Sequence, residues 1–202
     1  MSAALHTLND TLNYTIVDLD RHNDAMLQSA AETLYQAFKD GWGWNESAEE
    51  AMGDVLDCLK EGMICRAALT PDEQVIGWIG AQLPWWDLES TMWELHPMAV
   101  HPDLQGCGIG RALIRDLEPL VYARGGRTLW LGTDDPDGRT SLYGVDLYED
   151  TLGKLANIQN LRHHPYEFYQ KMGYTITGVY PDAGGYGQPD ILMAKRLTGA
   201  TP

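Results

Sequence analysis

The sequence predicts an α+β fold, one domain built around a mixed sheet. Segments that alternate every two residues and segments spaced every three to four follow one another in the order β-α-α-β-β-β-α-β-α-α-β-β. A chain of 202 residues is close to the length of one domain and buries about 70% of its unfolded surface, enough for a full core. Its 44% hydrophobic and 21% charged content excludes intrinsic disorder, and no internal repeat or long linker divides it.

Residues 1–13 read as a flexible N-terminal extension, 14–197 as the folded domain and 198–202 as a C-terminal tail. Tyr14 to Leu19 alternates as a strand, and Ala25 to Phe38 carries Met26, Leu27, Ala30, Leu34 and Phe38 at helical spacing. A Trp/Gly loop with Trp42 and Trp44 leads to Ser47-Ala48-Glu49-Glu50, a capping box that opens a helix reaching Leu59. Strands follow at Met63–Leu69, Val75–Leu83 and Met92–Val100. His101-Pro102-Asp103 breaks the third, and Ile109, Ala112, Leu113, Leu117 and Leu120 mark an amphipathic helix. Pro119 is expected to kink that helix, since it cannot donate to the carbonyl of Arg115. Beyond Gly125-Gly126 come a short buried strand at Thr128–Leu131 and a helix with Leu152, Leu155, Ile158 and Leu161 on one side. Pro165 starts a second short helix that Gly173 stops, and strands at Tyr174–Val179 and Asp190–Lys195 finish the domain.

Asp+Glu number 29 against 14 Lys+Arg, a net charge of −15. That balance argues against nucleic acid, whose binding depends on basic residues neutralising phosphates, and against an anionic membrane surface. It favours a cationic partner, because carboxylates concentrate positive ligands; the plain alternative is a merely soluble acidic protein. No segment reaches the ~20 apolar residues that span a bilayer, and no basic residue precedes Arg21 as the start of a secretory signal. Three cysteines, Cys58, Cys65 and Cys107, without a Cys-x-x-Cys pair fit a reducing cytoplasm and argue against a disulfide framework or structural zinc. His163-His164 is a weak metal signal and reads better as a helix start, so no metal is expected.

The most specific chemistry lies in Gln105-Gly106-Cys107-Gly108-Ile109-Gly110-Arg111, between a strand and a helix. Glycines there let the backbone approach a ligand, and N–H groups at a helix start form a nest for phosphate. A dinucleotide fingerprint needs glycine where Arg111 stands, and a P-loop needs a Gly-Lys pair that does not occur; a plain glycine-rich turn is the alternative.

The segment from Met98 to Leu113 resembles motif A of the GNAT superfamily of N-acetyltransferases, whose Gln/Arg-x-x-Gly-x-Gly/Ala turn binds the pyrophosphate of acetyl-CoA. Trp93-Glu94-Leu95-His96-Pro97, Leu131-Gly132-Thr133-Asp134-Asp135, Asn157-Ile158-Gln159-Asn160-Leu161, His164 to Tyr169 and Pro189-Asp190-Ile191 are together similar to the enterococcal-type aminoglycoside 6′-N-acetyltransferases. The resemblance implies the GNAT fold, a mixed and largely antiparallel sheet flanked by helices with a β-bulge cofactor cleft. It also implies acetyl-CoA as co-substrate, a cationic aminoglycoside as acceptor, antibiotic resistance and a homodimer.

Acetyl transfer to an amine needs a positioned thioester, a deprotonated amine, donors for the developing oxyanion and a proton for the thiolate. The resemblance assigns cofactor contacts to Met98, Ala99 and Val100 and to the turn Gln105, Gly106, Cys107, Gly108, Ile109, Gly110, Arg111 and Ala112. It makes Glu94 the base and Tyr169 the acid or hydrogen-bond donor at the cofactor sulfur, and leaves Asn160 nearest to a pantetheine-holding Asn. Glu94 shares a strand face with His96 and Met98 unless a bulge intervenes; His96 is either a substrate or relay residue or a sheet histidine. Cys107 lies in the phosphate turn, so its backbone rather than its thiol is expected to matter, and transfer is expected to be direct.

The acceptor pocket is expected to combine aromatic faces with carboxylates. Trp42, Trp44, Asp134, Asp135, Asp182 and Asp190 are the candidates beside Glu94 and His96; each Asp is otherwise a turn or cap residue. Two other functions compete: acetylation of a polyamine or protein amine, and a coenzyme-A-binding module without turnover.

Overall fold

Residues 12–40, 46–84 and 89–199 are described by the computed structural model. These residues divide into two compact units, the first ending at Arg127 and joined by Thr198, the second spanning Thr128–Leu197.

In the first unit, Asn23 accepts from the N–H of Met26 at 3.1 Å and starts α1 (Asp24–Phe38). Ser47 accepts from the N–H of Glu50 at 3.2 Å and starts α2 (Ala48–Asp57), while the Glu50 carboxylate reaches back to the N–H of Glu46 at 2.8 Å. The expected capping box therefore forms with its return bond one residue earlier than the usual pattern. Strands β1 (Thr15–Asp18), β2 (Ile64–Leu69), β3 (Val75–Gln82) and β4 (Met92–Val100) pair antiparallel in sequence order.

Alternation along these strands sends Cys65, Ala67, Trp78 and Ala99 into one cluster with Met26, Leu27, Ala30, Leu34, Ala51 and Val55 of α1 and α2. The indole N–H of fully buried Trp78 donates to the Ala30 carbonyl at 3.0 Å, so the largest core side chain also ties β3 to α1. On the other face lies α3 (Ile109–Ala123), burying Ile109, Leu113, Ile114, Leu117 and Val121. Each contributes roughly 1.5–3 kcal/mol over an exposed side chain. Arg66 projects to this face and donates to Asp116 at 2.6 Å and Asp18 at 2.5 Å. The helix continues unbroken past Pro119.

In the second unit, β5 (Thr128–Asp134) and β6 (Thr175–Gly185) both pair antiparallel with β7 (Gln188–Arg196). Two short helices, α4 (Thr151–Ala156) and α5 (Tyr166–Lys171), connect β5 to β6. The element order is the predicted one, but β5 and β6 run further than expected, to Asp134 and Gly185, and both short helices differ. The apolar spacing from Leu152 to Leu161 does not make one amphipathic helix: α4 stops at its C-cap Asn157, and Leu152 and Leu161 are exposed. His163 does not start a helix either; it has positive φ, and α5 begins at Tyr166. Among the described residues no helix is long and apolar enough to cross a membrane.

Candidate active site

On β4, Glu94 is half-buried and stands directly opposite Gln82 of β3. The Gln82 side-chain N–H donates to Glu94 Oε2 at 2.9 Å, leaving Oε1 without a partner among the described residues. Between Glu94 and Met98 the register shifts. Leu95 opposes Ala81 and Met98 opposes Ile79, so His96 and Pro97 share the space across from Gly80. This is a β-bulge, and the extra residue reverses the facing of the strand beyond it. Met98 and Val100 accordingly lie with Ile79 and Gly77 on the α3 side, whereas Glu94 lies with Gln82 and Gly80 on the other. The bulge named as the exception is present, so Glu94 does not share a face with Met98. His96 is exposed within the bulge, its carbonyl accepting from the Cys58 thiol at 3.7 Å.

The glycine-rich turn follows β4 directly. Gly106 and Gly108 have φ of 78° and 89°, the left-handed region that a side chain makes costly, and Gly108 caps α3. The N–H groups of Gly106, Gly108, Ile109, Gly110 and Arg111 donate to no described residue and are gathered at the start of a 15-residue helix. Three predicted contacts act otherwise. The Cys107 N–H is engaged by the Leu104 carbonyl at 3.3 Å, and the Ala112 N–H by Gly108 at 3.0 Å. The Gln105 side chain donates to the Val100 carbonyl at 3.2 Å, fastening the turn to the end of β4.

In the second unit Tyr169 is buried on α5, with edge contacts to Phe168 at 5.2 Å and Tyr174 at 5.7 Å between ring centroids. Burial pushes its phenol well above the ordinary value. Asp134 ends β5 exposed and pairs in register with Asp190 of β7, whose carboxylate lies over Gly132.

The next residue behaves differently. Asp135 is fully buried and accepts from the N–H groups of Arg139 at 2.6 Å and Thr140 at 2.7 Å and from the Thr140 hydroxyl at 2.8 Å. It closes a turn and is not placed to meet a substrate. Asp135→Ala is expected to destabilise the fold by about 2–4 kcal/mol, because several buried donors lose their acceptor at once; urea unfolding measures it.

Asp182 accepts from the Gly187 N–H at 2.8 Å and likewise closes the β6–β7 turn. Asn160 is spent on the loop too, bonding His164 through both ends of its amide, so the pantetheine assignment fails on its geometry. Buried His164 bonds the Asp134 carbonyl through Nε2 at 2.9 Å and accepts from the Tyr166 N–H through Nδ1, and burial lowers its pKa. Trp42 and Trp44 lie outside the described residues.

The model of the acetyltransferase (GNAT) family matches residues 25–153. This chain belongs to that family. An aminoglycoside 6′-N-acetyltransferase crystallised with coenzyme A is similar at 38% identity over 93% of this GNAT chain and 99% of its own, with a TM-score of 0.82. The aminoglycoside 6′-N-acetyltransferase from Enterococcus faecium is 40% identical over 93% and 99%, with a TM-score of 0.79. An aminoglycoside 6′-acetyltransferase type Ii is 31% identical over 91% and 97%, with a TM-score of 0.67. No curated protein matches.

As a GNAT acetyltransferase, the chain has the α+β fold expected of it, and its glycine turn suits an acetyl-CoA pyrophosphate. Unpartnered N–H groups converge there and the helix dipole favours negative charge, which the −15 net charge otherwise opposes. Among the described residues no group of three or more His, Cys, Asp or Glu could hold a metal ion. Sequence reasoning missed Gln82, Cys58 and Gly80. The pairing of β3 with β4 brings Gln82 and Gly80 to the bulge, and the end of α2 brings Cys58.

Proposed function

We propose that this chain is an aminoglycoside 6′-N-acetyltransferase that moves the acetyl group of acetyl-CoA directly to the 6′-amine of a cationic aminoglycoside. The reading rests above all on 38–40% identity across 93% of the chain to enzymes of that activity. Bound acetyl-CoA supplies the acetyl group as an activated thioester.

Glu94 attracts the ammonium and takes its proton through Oε1, while Gln82 holds the other oxygen in place. Gly106, Gly108, Ile109, Gly110 and Arg111 bind pyrophosphate through their N–H groups, and Met98, Ala99 and Val100 serve the acyl end. Tyr169 donates a hydrogen bond to the departing sulfur. Exposed Asp134 and half-buried Asp190 add negative potential for the acceptor, with His96 at the same strand as Glu94 and Trp42 and Trp44 as aromatic contacts. Residues 14–197 act as one catalytic domain in the cytoplasm, as a homodimer, and confer resistance.

Thiol release from acetyl-CoA with aminoglycosides, polyamines and basic peptides tests the acceptor class. Turnover is expected with aminoglycosides and should weaken as salt rises, since attraction between exposed charges is screened. Faster turnover of a polyamine or peptide would overturn the reading.

A further inference from the structure

The β4 bulge is held from behind by two residues that no catalytic role had singled out. A Cβ at Gly80 would come within 2.5 Å of the His96 carbonyl oxygen, a contact closer than real Cβ atoms keep, and within 3.3 Å of its carbon. No positive φ accompanies this glycine, so it is space and not backbone freedom that demands it. Cys58, the C-cap of α2 and 4% exposed, donates its thiol to the same carbonyl at 3.7 Å and lies 3.4 Å from the Gly80 Cβ position. Burial, with Asp54 and Asp57 nearby, pushes this thiol up to about 12, so it stays protonated and able to donate.

We infer that Gly80 and Cys58 are positioning residues for acetyl transfer: they hold the His96–Pro97 bulge, and the bulge sets Glu94 and Met98 on opposite faces of one strand. The inference rests on the proposed function, in which Glu94 takes the proton and Met98–Val100 serve the acyl end. Both groups lie within four residues of the displaced carbonyl. A methyl at position 80 must move that carbonyl by about half an ångström, and shifts of ~1 Å in an active site cost up to 10²-fold in rate. The pyrophosphate turn lies beyond Val100 and is fixed by its own bonds to Pro102, Leu104 and Val100.

The test compares Gly80→Ala, Cys58→Ala and Leu34→Ala. Leu34 is a buried α1 residue of the core cluster to which the site assigns no role, and it controls for lost stability. Gly80→Ala is expected to lower kcat at least tenfold and Cys58→Ala about threefold, with the calorimetric Kd for coenzyme A within threefold of wild type. Leu34→Ala should lower Tm yet keep kcat within twofold. Unchanged kcat in folded Gly80→Ala, or coenzyme A binding that weakens in step with kcat, overturns the inference. If Gly80→Ala does not fold, Cys58→Ala decides, and a kcat equal to that of Leu34→Ala overturns it. Wild-type protein that acetylates no aminoglycoside refutes the proposed function and this inference with it; active wild type with unaffected variants refutes this inference alone.

Discussion

Glu94→Gln is expected to lower kcat by about 10²–10⁴-fold, the range lost with a positioned general base. The substitution keeps the shape of the side chain and a carbonyl oxygen for the 2.9 Å bond from Gln82, while removing the charge and the site that takes the proton. Coenzyme A affinity should stay within about twofold, because the N–H groups of the glycine turn are independent of Glu94. Raising the pH should partly restore the rate, since solvent then takes the ammonium proton that Glu94 would otherwise remove. Steady-state rates with calorimetry on the same preparation check both halves. A kcat within threefold of wild type removes Glu94 from the proton-transfer role.

Tyr169→Phe is expected to lower kcat by about 10–100-fold, corresponding to the ~1.5–3 kcal/mol of a hydrogen bond to a charged group. Burial decides which role the phenol plays. An ordinary phenol at ~10 already holds its proton more firmly than a thiol at ~8.5. With the Tyr169 phenol pushed higher still, full proton transfer to a thiolate is uphill by about 1.4 kcal/mol for each unit of the gap. On the proposed function Tyr169 is expected to serve as a hydrogen-bond donor, and the thiolate to take the proton that the attacking amine nitrogen sheds on becoming an amide. The consequence is a rate with no alkaline limb from this tyrosine up to pH ~10. A limb below pH 9 that disappears in Tyr169→Phe contradicts this role.

Much of the fold was legible because several local signals agreed. Asn23 and Ser47 cap the helices they precede, and buried residues alternate with more exposed ones along Met92–Val100. The stretch from Leu152 to Leu161 misled because its leucines recur at helical spacing without a surface to cover, and Asn157 stops α4 after one and a half turns. Adjacent Asp134 and Asp135 both read as acceptor-site candidates, yet Asp134 ends β5 exposed, while Asp135, just past the strand, is fully buried and accepts from Arg139 and Thr140 in the turn. Cys107 showed the limit of a motif: its turn was recognisable, while the capture of its N–H by Leu104 depends on the bend at Pro102. Gly80 carried no signal at all, since what excludes its side chain is a carbonyl sixteen residues away in sequence.

The central claim is best tested with a pair of aminoglycosides identical except at the 6′ position, one bearing an amine and the other a hydroxyl. Initial rates with acetyl-CoA would be measured and the acetylated atom located by NMR. The expected result is rapid turnover of the amine, a single acetyl group on the 6′ nitrogen, and no measurable turnover of the hydroxyl compound. Equal rates on the two, or acetyl on any other nitrogen, would contradict the account.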